Sequence, residues 1–341
     1  MKELRQFHFE SRAVPRKPRR GNVVVRIHTV GICGSDVHYW AHGRCGPFVV
    51  NGPLVLGHEC SGIIVEVGEG VSNVAVGDRV AIEPGVPCRV CKYCRSGKYN
   101  LCPDVVFLAT PPVDGSLANY IEHAADFCYK MPDHMSFEEG ALLEPLSVGV
   151  QACRRGGVAA GSHVLITGAG PVGLVSLLVA KASGATRVVV TDLMQNRLDV
   201  AKQLGADATF LSNDPRLLEK LAAFAPITQT LECSGAEAAL TLAIRATCPG
   251  GKVLSIGRSA HPTQNIPLFE AADREVDICG SFRYHDTYPT ALELVATGKV
   301  NVRPLVTHRF NLLQSQQAFE TAEVGKDGAI KVAIQVADAK L

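Results

Sequence analysis

The sequence predicts an α/β protein of two domains, one mostly β and one built on a doubly wound parallel sheet. Three observations carry that expectation. At 341 residues the chain exceeds the size at which one hydrophobic core usually keeps growing, so it should divide. Between Asn22 and Val80, short β-branched runs (VVVRIHTV, FVV, GIIVEVG) are separated by Gly, Pro, Asn and Asp, the punctuation of an antiparallel sheet or partial barrel. After about Pro145, strand-like and helix-like segments alternate, as a parallel sheet with right-handed crossovers requires.

The chain begins MKELRQFHFE, without the apolar stretch of a signal peptide, and nowhere approaches the roughly 18 uninterrupted apolar residues of a membrane span. A cytoplasmic protein with no membrane partner is expected. Lys and Arg total 34 against 33 for Asp and Glu. The single dense basic run, Arg16 to Arg20, lies among prolines and reads as a solvated loop, because nucleic-acid binding needs a broad positive surface. No nucleic acid partner is expected. In this compartment the 12 cysteines should be reduced, so their spacing points to metal or chemistry rather than to disulfides.

The segment 84–103 is dense in Cys, Gly and Lys and has little apolar period. Its order must come from something other than a core. Cys88, Cys91, Cys94 and Cys102 form C-x2-C-x2-C-x7-C, and four thiolates at such spacing close a tetrahedral structural zinc site. An iron–sulfur cluster uses similar ligands, but the sequence holds no second cluster motif.

In the second half the strand VLITGAG leads to the helix-like LVSLLVAKASGA, then VVVTD, NRLDVAKQLGA, TLECSG, ALTLAIRATCPGG and KVLSIG. From about Phe282 the texture returns to short mixed elements, with a helix expected around Thr290 to Ala296. The expected domains are therefore 1–147 with 282–341, and 148–281 between them. Gly168, Gly170, Pro171, Val172 and Gly173 belong to a G-x-G-x-x-G that follows a strand and opens a helix. There glycines permit a tight turn and close approach of pyrophosphate, and the helix start presents free N–H groups. The next strand ends at Asp192, placed to accept from the ribose hydroxyls. A carboxylate there repels the 2′-phosphate of NADP, so NAD is the expected cofactor. Arg197 reads either as a flank of the adenine or as an exposed helix residue.

Cys, His and carboxylate, the three ligand types of zinc, recur in GICGSDVHYW (Cys33), GHE (His58, Glu59) and LEP (Glu144). Taken singly, Cys33 reads as a small buried hydrophobe, His58 as a hydrogen-bonded core histidine, and Glu144 as a carboxylate starting a helix. Together with the four-cysteine lobe, YNLCPD, LATPP, EEGALLEPLSVGV, GAGPVG and REVDICGSFRY, they resemble the zinc-dependent medium-chain dehydrogenases, in the sorbitol, xylitol and L-arabinitol branch. The resemblance runs from about Arg12 to Val336.

That resemblance implies a GroES-like catalytic domain joined to a Rossmann domain, two zinc ions per chain, and reversible oxidation of a polyol to a ketose with hydride transfer to NAD. It implies a catalytic zinc on Cys33, His58 and Glu59, with Glu144 bridging through water or alternating as a ligand. Where alcohol-specific relatives place a cysteine ligand, this chain has Glu144. Ser35 and His38 are implied as the proton relay, and Tyr39, Phe107, Thr110, Arg283 and Tyr284 as the substrate and nicotinamide pocket. Phe282 and Arg283 are also expected at the cofactor, and a homotetramer is expected. Two departures stand out: the chain is short ahead of LRQFHFE, and Cys60 follows GHE where Ala or Ser is usual. Cys60 is expected as a buried small side chain. Rival readings are a threonine or short-alcohol dehydrogenase of the same superfamily, and a zinc-stabilised relative without activity.

Overall fold

The β-branched run VVVRIHTV becomes the central strand Asn22–Gly31 of a seven-stranded sheet in the computed structural model of the protein, which describes residues 1–259, 261 and 263–336. The end of the expected first domain at 337–341, and positions 260 and 262 of the second, lie outside the described residues. Strand Asn22–Gly31 pairs antiparallel with Glu59–Val67, Tyr120–Ala124 and Lys331–Gln335. Arg79–Ile82 and Cys128–Lys130 extend one side. The sheet is not wholly antiparallel: Val306–Asn311 runs parallel to Lys331–Gln335.

Val23, Val25, Ile27 and Val30 pack into one core with Trp40, Ile64, Ile82, Phe319 and Ile334. Full burial of each such side chain contributes about 1.5–3 kcal/mol, which makes the central strand a rigid base for the turn and helix at its C-terminal end. That helix, Gly34–His42, begins three residues on and stops at Gly43, whose left-handed backbone (φ 68°) lets its N–H reach the Tyr39 carbonyl.

This unit comprises Met1–Glu144 and the described residues from Tyr288 on, and the second comprises Pro145–Thr287. The change of unit falls inside helix Leu143–Gly156, and the return comes at Tyr288, later than the change in sequence texture. The reason is local. Residues after strand Asp277–Gly280 remain tied to the second unit, through Ser281 N–H on the Ser255 carbonyl at 2.9 Å and Arg154 on the carbonyls of His285 and Asp286 at 3.2 and 2.7 Å.

The second unit holds a six-stranded sheet, parallel at every pairing, in the spatial order Ala208–Leu211, Arg187–Asp192, His163–Thr167, Ile227–Glu232, Thr247–Ser255, Asp277–Gly280. Numbered along the chain this is 3-2-1-4-5-6, the dinucleotide-binding order. It reverses between His163–Thr167 and Ile227–Glu232, where such sheets open a crevice for ligands. Helices Pro171–Ala182, Gln195–Gln203, Leu217–Phe224 and Glu237–Ala246 connect the strands. Among the described residues no helix is long and apolar enough to cross a membrane.

Candidate active site and metal centres

The end of strand Asn22–Gly31 delivers Cys33 to the start of helix Gly34–His42, in extended backbone (φ −94°, ψ 153°). In the neighbouring strand, register sets Glu59 opposite Gly31. Any Cβ at Gly31 would lie 2.3 Å from the Glu59 carboxylate, so glycine here is what gives that carboxylate room. Cys33 Sγ, a ring nitrogen of His58 and a Glu59 oxygen all lie within 4.8 Å of one another, close enough for one cation to be shared among them.

Asp36, fully buried, organises the group. It accepts from Gly57 N–H at 3.0 Å and Cys33 N–H at 3.2 Å, and its other contact is His58 Nδ1 at 3.4 Å. A carboxylate on Nδ1 fixes the ring and leaves Nε2 for a metal. Burial pushes Asp36 up, but His58 and the two backbone donors outweigh it, and the group ends below its ordinary value. For His58 burial lowers the pKa, while Asp36 and Cys33 lift it well above that of a free imidazole. The cluster is anionic enough to require positive charge.

Lys331 answers part of that requirement. Its ammonium, 3% exposed, lies 2.7 Å from both Glu59 oxygens and 3.0 Å from the Ile32 carbonyl. Burial lowers its pKa, and the charges of Glu59 and Cys33 more than restore it. Glu144, buried in the first turn of its helix, stands outside the three-donor group. Its charge is nevertheless felt by Cys60, Tyr288 and Lys331, so it lies near all three. Cys60 is buried with its thiol pushed up to about 12, by burial first; it is a packed, protonated side chain.

Around His58 the structure gathers Phe107, with ring centroids 5.8 Å apart, and Tyr39. Tyr39 interacts with Thr110, and burial chiefly pushes its phenol up to about 12. Ser35 is half-buried and His38 exposed on the helix that Cys33 begins. Phe282, Arg283 and Tyr284 belong to the second unit. Tyr284 is buried there, and Arg283 carries its guanidinium over the Phe282 ring at 5.0 Å with a left-handed backbone (φ 52°) that bulky residues seldom adopt.

The sulfur atoms of Cys88, Cys91, Cys94 and Cys102 also come within 4.8 Å of one another. Their surroundings differ sharply. The lobe contains one short helix, Lys92–Arg95, and one 3-10 turn, Tyr99–Leu101, with Val90 75% exposed. Backbone N–H groups of Cys88, Cys91 and Cys94 point at sulfur at 3.4–3.5 Å. Those of Val90 and Cys91 draw the Cys88 thiol down to about 7. Lys92, Arg95 and Lys98 lie between the cysteines with no acidic residue among them, while Arg89 pairs with Asp126 at 2.7 Å; the three cations would offset the net negative charge of four thiolates on a divalent ion. One buried carboxylate anchors the lobe: Glu83 accepts from Tyr99 at 2.7 Å and from Tyr129 at 2.8 Å.

In the second unit the glycine turn fits a dinucleotide. Gly168 needs its left-handed φ of 97°, and a Cβ on Gly173 would strike the Gly168 carbonyl at 1.8 Å, whereas one on Gly170 would meet nothing within 4 Å. That open side is where phosphate can approach the start of helix Pro171–Ala182, with Pro171 and Val172 in its first turn. Asp192 accepts from Ala169 N–H at 2.7 Å and Met194 N–H at 2.9 Å, so it holds the glycine turn. Arg197 lies 4.0 Å from it.

Sequence reasoning gives no role to Asp36, Glu83, Lys331 or Glu232. Glu232 ends the strand next to the glycine turn and accepts from Ser234 N–H, Ser234 Oγ and Gly235 N–H at 2.7, 2.7 and 2.9 Å. A signal exists for Lys331, a lone lysine in the apolar strand KVAIQV, since a buried lysine needs an acidic partner. Asp36 and Glu83 become visible only once distant segments are brought together.

Residues 19–133 match the family model of the alcohol dehydrogenase GroES-like domain, and residues 171–297 match that of the zinc-binding dehydrogenases. The chain is 54% identical over 310 residues to sorbitol dehydrogenase of Mus musculus, covering 89% of this chain and 86% of that protein. It is 49% identical over 326 residues to sorbitol dehydrogenase of Gallus gallus, covering 94% and 91%. A solved dehydrogenase of unknown specificity from Escherichia coli superposes with a TM-score of 0.94 at 36% identity, covering 99% of this chain and 98% of that one.

Proposed function

The chain belongs to the zinc-dependent medium-chain dehydrogenases, on the sorbitol dehydrogenase branch, and from that premise we propose how its residues divide the work of the reaction. It is a zinc- and NAD-dependent polyol dehydrogenase. The observation that carries the assignment of residues is the convergence of Cys33, His58 and Glu59 within 4.8 Å on a chain of this ancestry. When bound, zinc lowers the pKa of a coordinated hydroxyl as it lowers that of water from 15.7 to about 7, and NAD accepts the hydride.

Cys33, His58 and Glu59 would hold the catalytic zinc, whose contribution is to acidify the substrate hydroxyl. Asp36 fixes the His58 ring. Lys331 holds Glu59 and limits the charge it donates, while Glu144 adds a second negative field beside the site. Ser35 takes the substrate proton, and His38 passes it to solvent. Tyr39, Phe107 and Thr110 shape the substrate pocket. In the second unit, Arg283, with a rigid fork of donors suited to several hydroxyls, and Tyr284 are the residues assigned to substrate. Gly168, Gly170, Pro171, Val172 and Gly173 cradle the NAD pyrophosphate, Asp192 selects the ribose, and Arg197, Phe282 and Arg283 flank the cofactor. Cys88, Cys91, Cys94 and Cys102 would hold a structural zinc.

Sorbitol is the substrate we put first, ahead of xylitol and L-arabinitol, and we place the protein as a homotetramer in the cytoplasm. The test is a panel of these polyols, with threonine and ethanol as controls, against NAD and NADP while reduced nicotinamide is followed. Sorbitol with NAD should give the highest kcat/KM. Preference for threonine or ethanol would remove the polyol assignment. Light scattering checks the tetramer.

A further inference from the structure

Helix Gly34–His42 carries two histidines that lie outside both groups of metal ligands. His38 and His42 are four residues apart, so they lie one turn apart on one face of the helix. Both are exposed. Their ring centroids are 5.9 Å apart with the planes inclined by 36°. A first-row cation bound to one nitrogen of each ring at about 2.0–2.1 Å, in tetrahedral geometry, places the centroids roughly 5.3 Å apart. The observed separation exceeds that by about 0.6 Å.

Two features of the surroundings favour a cation. His42 stands in the last turn of the helix, where the carbonyl end of the helix dipole attracts positive charge. The next basic side chain along the chain, Arg44, directs its guanidinium onto the Gly46 carbonyl at 3.1 Å. We propose that His38 and His42 form a surface site for one divalent transition metal of the kind that imidazole prefers, zinc, copper or nickel, with water completing the coordination. It is separate from the buried three-donor site and weaker, having two imidazole ligands on an exposed surface.

The consequence for turnover rests on the reading of His38 as the outer step of the proton relay. A metal on the His38 ring occupies the nitrogen that must take up a proton, so filling the site slows oxidation. His42 lies outside the relay, which separates the two questions.

The experiment titrates Zn²⁺ into the holoenzyme, already holding its two zinc ions, by calorimetry and metal analysis, for the native protein and His42→Ala. The native protein should take up one further zinc per chain. His42→Ala should bind it roughly tenfold more weakly or worse, because a chelating pair becomes a single ligand, and should keep its turnover in the absence of added metal. Equal uptake by the two proteins, or no third zinc in the native one, overturns the proposal. If turnover falls as the third zinc binds in the native protein alone, site and relay both stand. Uptake without any fall supports the site and removes His38 from the relay.

Discussion

The three-donor cluster and the four-cysteine lobe each gather metal-ligand atoms within 4.8 Å, by opposite means. In the first, His58 and Glu59 are buried, the strand register sets Glu59 against Gly31, and Asp36 and Lys331 hold the ligands in place by hydrogen bonds and charge. The fold builds that site before a metal arrives. In the second, Val90 lies exposed between the ligands and the sulfurs are partnered mainly by one another and by nearby backbone N–H groups. There the metal supplies the order that a core would otherwise supply. Ligand loss should therefore damage chemistry at one site and stability at the other.

The largest effect on folding should come from the lobe. Cys102→Ser should lose one zinc per chain and lower Tm by on the order of 10 °C, while the fraction that remains folded keeps its kcat. Calorimetry with metal analysis checks this, and an unchanged Tm would place the lobe's order in its packing. Next is Lys331→Met, which leaves Glu59 buried without its partner. Breaking such a pair costs about 3–5 kcal/mol. The loss should be larger in zinc-stripped protein than in holoenzyme, because the catalytic zinc can neutralise Glu59 in place of the ammonium. Equal losses in the two forms, measured by denaturant unfolding, would mean that the lysine and the metal do not share that carboxylate.

Glu144→Gln should have a smaller effect, confined to turnover. It keeps size and helix but removes a negative field beside the metal, and changes of this kind typically cost 10- to 100-fold in activity. Zinc content and NAD affinity should be unchanged. If Glu144 only begins its helix, the same change costs about 0.3–1 kcal/mol of stability and leaves kcat intact.

Much of the fold and of the site is legible in the chain. The four-cysteine spacing, the glycine motif on a strand-to-helix turn and the alternation after Pro145 are local signals, and the structure realises each in a contiguous segment. Strand Ala208–Leu211 and helix Leu217–Phe224 are not legible, since ATFL and LLEKLAAF are short and carry little period. The partners that tune the site are hidden for a different reason. Lys331 meets Glu59 across 272 positions, and Glu83 meets Tyr129 across 46. Such pairs are fixed by sheet topology rather than by neighbouring residues. Asp36 stands inside GICGSDVHYW and still gives no signal, because its partner Gly57 reaches it only once strand Glu59–Val67 is paired with Asn22–Gly31.

The central claim is that Cys33, His58 and Glu59 hold the zinc that activates a polyol for oxidation by NAD. Its most direct test is metal analysis of His58→Ala together with NAD reduction by sorbitol. Removing the metal's contribution, several kcal/mol of barrier lowering, should reduce kcat by about 10³-fold or more. The variant should retain one zinc per chain, in the cysteine lobe. Two zinc ions per chain, or turnover within tenfold of native, would contradict the account.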